Sequence, residues 1–271
     1  MRSRQSIAFM AATLAAMLCL TACAQPAPTA PSNQASSTAG QTPTGQGSPS
    51  SSTSLDPTGS PTASTTPQSW SFNFVDGADG FTAIFADYHD DGSGLESYQM
   101  DQGVKAIPDD SAKRQGLYIA GANRSDDLFM GYWKGLELGR PNATVSFDLS
   151  FQLATDVAPD EGGIGGDPNT SVYIKAGLTT VQPVSQMEGT HYRLNIDAGI
   201  QSESGADMKV IGDMSKPTDS GDSDGFVLKE LTAHGTAKTD ASGRVFLIIG
   251  SDSGFEGFTS YYLTDIKLSV A

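Results

Sequence analysis

The chain has 271 residues, with 31 acidic and 16 basic side chains and a formal net charge of −15. That balance excludes a nucleic-acid binder, whose affinity comes largely from Lys and Arg on phosphates, and excludes docking on anionic lipid through basic residues. Both cysteines, Cys19 and Cys23, stand near the N-terminus, so the body has neither a disulfide nor a thiolate metal site.

Arg2 and Arg4 open the chain as a short positive region, and Ser6 to Ala22 follow as an apolar run. The run has the length of a signal segment and is short for a membrane span. It ends in Leu20-Thr21-Ala22-Cys23, which resembles the lipobox of bacterial lipoproteins, Leu-small-small-Cys. The resemblance implies a signal peptide over residues 1–22, with cleavage before Cys23. It also implies a diacylated Cys23 that holds the chain on the extracytoplasmic face of the cell membrane. Two acyl chains anchor stably where one does not.

Residues 24–68 hold 8 of the 14 prolines and are otherwise almost all Ser, Thr, Gly, Ala, Gln and Asn. Such a stretch buries too little apolar area to offset the entropy of ordering. With Cys23, residues 23–68 therefore read as an anchored, disordered spacer of roughly 35–40 Å root-mean-square reach.

From Ser69 the pattern becomes that of short strands. Trp70–Phe74 alternates apolar and polar, and Phe81–Phe85 follows after the turn residues Asp76-Gly77 and Asp79-Gly80. Further candidates are 117–120, 128–133, 143–154, 171–176, 192–196, 226–231, 245–249 and 261–270. In 143–154, Val145, Phe147, Leu149, Phe151 and Leu153 share one face. In the last run Tyr261, Leu263, Asp265 and Lys267 alternate against Tyr262, Thr264, Ile266 and Leu268. No long apolar period of 3.6 appears. Strands without intervening helices predict an all-β chain, one antiparallel β-sandwich over residues 69–271.

The two ends of this body, Phe72–Gly77 with Gly80-Phe81 and Tyr261–Ile266, resemble jelly-roll carbohydrate-binding and galactose-binding-like domains. The resemblance implies that the terminal strands lie side by side with a structural calcium near them, which nominates Asp76 and Asp265 as ligands. It also implies a carbohydrate or envelope glycan as partner. The middle, including Ala86–Tyr88, Asn123–Met130, Gly162–Pro168, Ser171–Gly177 and Asp252–Gly257, resembles a family of uncharacterised bacterial secreted proteins and lipoproteins, which lends no activity.

Several polar residues interrupt apolar strands or sit at their ends. They are Arg124, Asp126 and Asp127 before one strand, Glu161 in a Gly-rich loop, Lys175 inside another strand, and Asp252 and Glu256 after a third. A buried charge is costly unless paired. These residues are therefore either structural pairs or the lining of a pocket. Paired carboxylates there would serve glycoside hydrolysis, and Tyr88, Tyr132 and Trp133 offer rings for sugar stacking. The expectation is a non-catalytic binder. A hydrolase or lyase and a protein-binding adhesive module are the alternatives.

Other motifs fail. Asp219–Gly225 alternates acids but lacks the Glu that closes an EF-hand loop. His89, His191 and His234 are far apart in sequence and show no zinc spacing. Ser223 and Ser253 lack the Gly-x-Ser-x-Gly elbow.

Overall fold

Residues 144–155 show how the sequence makes the fold. Val145, Phe147, Leu149, Phe151 and Leu153 are all buried, whereas Ser146, Asp148, Ser150 and Gln152 between them are exposed or half-buried. A strand's side chains alternate, so this pattern commits one face to a core. The computed structural model describes residues 66–90, 95–108, 110–157, 162–217, 220 and 225–271, all within one unit, Pro61–Ala271. The expected signal peptide, Cys23, the spacer up to residue 65, Glu161 and most of Asp219–Gly225 lie outside the described residues.

The described strands, in chain order, are β1 (Gln68–Phe72), β2 (Thr82–Ala86), β3 (Tyr88–His89), β4 (Asp101–Ala106), β5 (Gln115–Ala122), β6 (Leu128–Glu137) and β7 (Thr144–Thr155). They continue as β8 (Val172–Thr179), β9 (Ser185–Glu188), β10 (His191–Leu194), β11 (Lys209–Asp213), β12 (Val227–Lys238), β13 (Arg244–Ser253) and β14 (Phe258–Val270). The helical content of the described residues is one 3-10 turn, Leu95–Tyr98.

The first sheet runs β12-β7-β14-β5-β4, with β1 also on β14. The second runs β11-β8-β13-β6-β2, and a small third sheet is β3-β10-β9. Every pairing is antiparallel. Leu149 and Leu268 of the first sheet share one core with Ile174 and Leu247 of the second. The described residues therefore form an all-β antiparallel sandwich.

The terminal strands do lie side by side, with Gln68 opposite Val270 and Phe72 opposite Ile266. On the same edge, the first half of β14 pairs with β5, from Phe258 opposite Ala122 to Leu263 opposite Leu117. At the handover, β14 carries one residue more than β7, and Asp265 adopts φ of 50°. This bulge corrects the alternation expected for 261–270. Tyr261 and Leu263 face inward before it, and Ile266, Leu268 and Val270 face inward after it. Phe74 is also fully buried but lies beyond β1, with φ of 62°.

A second apolar cluster lies on the other face of the second sheet. Ile84, Ala86, Phe129 and Ile248 pack there against Ile196, Ala198 and Met208. Gly177 makes this cover possible: a Cβ on it would stand 1.9 Å from the Asp207 carbonyl oxygen.

Candidate functional site

The cover creates the candidate site. Lys175 lies between Ile174 and Ala176, which face the main core, so its own side chain points to the covered face. It is fully buried there. Its Nζ donates to Asp252 Oδ2 at 2.7 Å and to the Ala198 carbonyl at 2.9 Å. Asp252 Oδ2 also accepts the Gln201 backbone N–H at 2.9 Å. The ion pair thus ties segment 198–201 to the sheet.

Asp127 immediately precedes β6 and its carboxyl adjoins that of Asp252. Asp127 Oδ1 and Asp252 Oδ1 are both buried and have no hydrogen-bond partner among the described residues. A single proton held between the two carboxyls would satisfy both. Burial first, then the Asp252 carboxylate and the charge of Asp87, push the Asp127 carboxyl up to about 8. Asp87 is itself raised, chiefly by burial, although Arg193 Nη1 donates to its Oδ1 at 3.2 Å. The resulting cluster is Asp87, Asp127, Lys175, Arg193 and Asp252, closed on one side by Gln201, whose Nε2 donates to the Asp126 carbonyl at 3.0 Å.

A cleft of about 490 Å³ borders this cluster, lined by His89, Ser97, Tyr98, Arg124, Ser125 and His191. Ser125 joins the two features, because its Oγ donates to the Asp87 carbonyl at 3.2 Å and lies 3.1 Å from the Asp127 carbonyl. Arg124 is exposed and its Nε donates to the Ser97 carbonyl at 3.2 Å. Tyr98 Oη accepts the His89 N–H and donates to the His89 carbonyl, both at 3.1 Å. His89 and His191 stand directly opposite each other in the β3–β10 pairing.

The structure therefore brings together Asp127, Lys175 and Asp252 of the residues expected from sequence, and places Arg124 in the neighbouring cleft. Of the other expected residues that are described, it brings in none. Tyr88 is buried and stacks on Tyr192 at 4.6 Å, so it is packing and not a free ring platform. Tyr132 is buried, and its hydroxyl donates to the Tyr118 carbonyl at 2.6 Å. Trp133 is half-buried edge-on to Phe246. Asp126 is exposed in the left-handed region with φ of 67°. Glu256 is exposed, its N–H donating to the Ile164 carbonyl at 2.8 Å. Asp76 is exposed in a turn, while Asp265 lies 3.5 Å from Arg114 Nη1. Among the described residues no three His, Cys, Asp or Glu side chains converge on a metal position. Asp87 and Arg193 were not singled out from the sequence, and the two histidines were set aside there as far apart, because only the β3–β10 pairing makes them neighbours.

Larger grooves lie elsewhere. One of about 710 Å³ crosses β1, β14, β7 and β12, lined in part by Ser69, Asp148, Thr232, His234 and Lys267. The indole in that lining, Trp70, packs against the core. Another, of about 660 Å³, opens between β8 with β11 and β7 with β12.

No protein-family model matches the chain. No curated protein matches it either. Among solved structures it is similar to the CBM22-2 xylan-binding domain from Paenibacillus barcinonensis Xyn10C, at 11% identity and a TM-score of 0.37 over 74% of this chain and 99% of that one. It is similar to a putative sugar binding protein from Bacteroides thetaiotaomicron, at 9% identity and 0.35 over 69% and 86%. It is similar to the same degree to a Stig cyclase from Fischerella, at 11% identity and 0.36 over 75% and 98%. Likeness at this level selects no function among them, and the assignment of the fold rests on the strand pairing above.

Proposed function

We propose that this chain is a lipid-anchored surface protein whose β-sandwich binds a carbohydrate, an envelope glycan being the expected class, without turning it over. The observation that supports this most is the lining of the Arg124 cleft. A guanidinium, two imidazoles, a phenol and two hydroxyls surround about 490 Å³ of open volume. Ligand pockets of this size use a few convergent polar groups to fix orientation, and a hydroxyl-rich ligand suits that set of donors and acceptors.

The position of the carboxyl groups supports a non-catalytic reading. Glycosidases hold their two carboxyls about 5–9.5 Å apart, on opposite sides of the scissile bond. The carboxyls of Asp127 and Asp252 instead adjoin each other, and Lys175 forms an ion pair with Asp252. Anchoring through Cys23 would present the cleft outside the cell. Calcium at Asp76 and Asp265 enters only as a support of the fold, and EDTA titration of the melting temperature tests it. The ligand is tested by glycan-array binding of the Cys23→Ala chain, with Arg124→Ala as the site variant.

A further inference from the structure

We infer that the glycan held in the Arg124 cleft carries an acidic group, a carboxylate, sulfate or phosphate, seated on the Arg124 guanidinium. This rests on the carbohydrate reading above and names the class of sugar. The lining supplies a guanidinium, imidazoles and hydroxyls, and none of its described residues is a carboxylate. The other two grooves differ. One sets Asp148 beside Lys267, and the other sets Asp207 beside Lys209.

The acids beside the cleft do not cancel its charge. Asp252 is paired with Lys175, and Asp87 with Arg193. The Asp127 carboxyl is pushed up to about 8, chiefly by burial, so it is mostly protonated and neutral at pH 7. Asp90 and Asp126 each follow a lining residue in the chain, but neither lines the cleft. Arg124 Nε donates to the Ser97 carbonyl at 3.2 Å, which orients the guanidinium. That bond leaves the Nη1–Nη2 edge, whose spacing suits the paired oxygens of an oxyanion. The histidines add an adjustable donor. His89 Nδ1 lies 3.3 Å from His191 Nε2, and Thr190 Oγ1 lies 3.4 Å from Nδ1 of both rings. When Thr190 donates to His191, and His191 to His89, His89 Nε2 carries a hydrogen. An ionised acid group only accepts, so it favours that direction. The net charge of −15 repels polyanions from the rest of the surface, so capture of an acidic glycan requires a local site.

The test probes the Cys23→Ala chain with galacturonate and glucuronate oligosaccharides, their carboxyl-reduced neutral counterparts, and sulfated and phosphorylated oligosaccharides. Binding should favour acidic probes over neutral ones by at least about tenfold. The arm that binds names the acid. Arg124→Gln should remove the preference, whereas Lys267→Gln, in the larger groove, should keep it. A readout without variants is salt: raising it from about 50 to about 500 mM should weaken binding at least about threefold. Equal binding of acidic and neutral probes would overturn the acidic class and leave the carbohydrate reading standing. A preference that survives Arg124→Gln, or that salt does not weaken, would also overturn it. Failure of every probe, acidic and neutral, would overturn the carbohydrate reading with it.

Discussion

Lys175 Nζ and Asp252 Oδ2 lie 2.7 Å apart on neighbouring strands, both buried beneath a segment that their own hydrogen bonds hold down. A buried pair of this kind is weak evidence of stability in itself, but breaking one half leaves an uncompensated charge. Lys175→Met should therefore cost about 3–5 kcal/mol. The double variant Lys175→Met with Asp252→Leu should recover most of it. Urea unfolding of the two chains checks this, and equal losses would contradict it.

The Asp127 carboxyl gives stability a distinct pH dependence. Its folded value is raised from 3.8 to about 8, so between these the folded chain holds a proton that the unfolded chain has released. This contribution is complete below about pH 4 and is lost as pH rises through about 8. Asp127→Asn keeps a donor toward Asp252 without the titration. It should flatten the fall in melting temperature between pH 5 and pH 9. Parallel profiles for the two chains would exclude the shared proton.

Gly177 bears on the same site from a distance. A methyl group there cannot coexist with the Asp207 carbonyl at 1.9 Å, so Gly177→Ala must lift segment 206–208 from the sheet. We expect a loss of about 1–3 kcal/mol and faster amide exchange at Asp207 and Met208, whose N–H groups both donate to the Asp197 carbonyl. Unchanged exchange there would show that the cover is not seated on this glycine.

The anchor stands or falls on one cysteine. Cys23→Ala should move the chain from the membrane fraction to the soluble fraction. Retention in the membrane fraction would remove the lipoprotein reading.

Much of the sandwich was legible because its long strands bury one face. The alternation of 143–154 and the apolar runs at 128–133 and 245–249 each became a strand of the two large sheets. The strands that escaped lack that signal: Asp101–Ala106 has no buried residue and Ser185–Glu188 is largely exposed. The phase change at Asp265 was invisible, since a bulge depends on which partner strand is met. At the site, Lys175 and Asp252 were readable as charges embedded in apolar strands. Their union with Asp127 was not, nor was the meeting of His89 with His191, which lie 102 residues apart. Sequence spacing carries no information about pairs made by sheet register.

The most direct measurement is glycan-array binding by the Cys23→Ala chain, beside the same chain carrying Arg124→Ala. We expect a specific glycan hit that Arg124→Ala abolishes or weakens by more than about tenfold, as loss of a charged hydrogen bond requires. A blank array, or a hit that Arg124→Ala leaves intact, would contradict carbohydrate binding in this cleft.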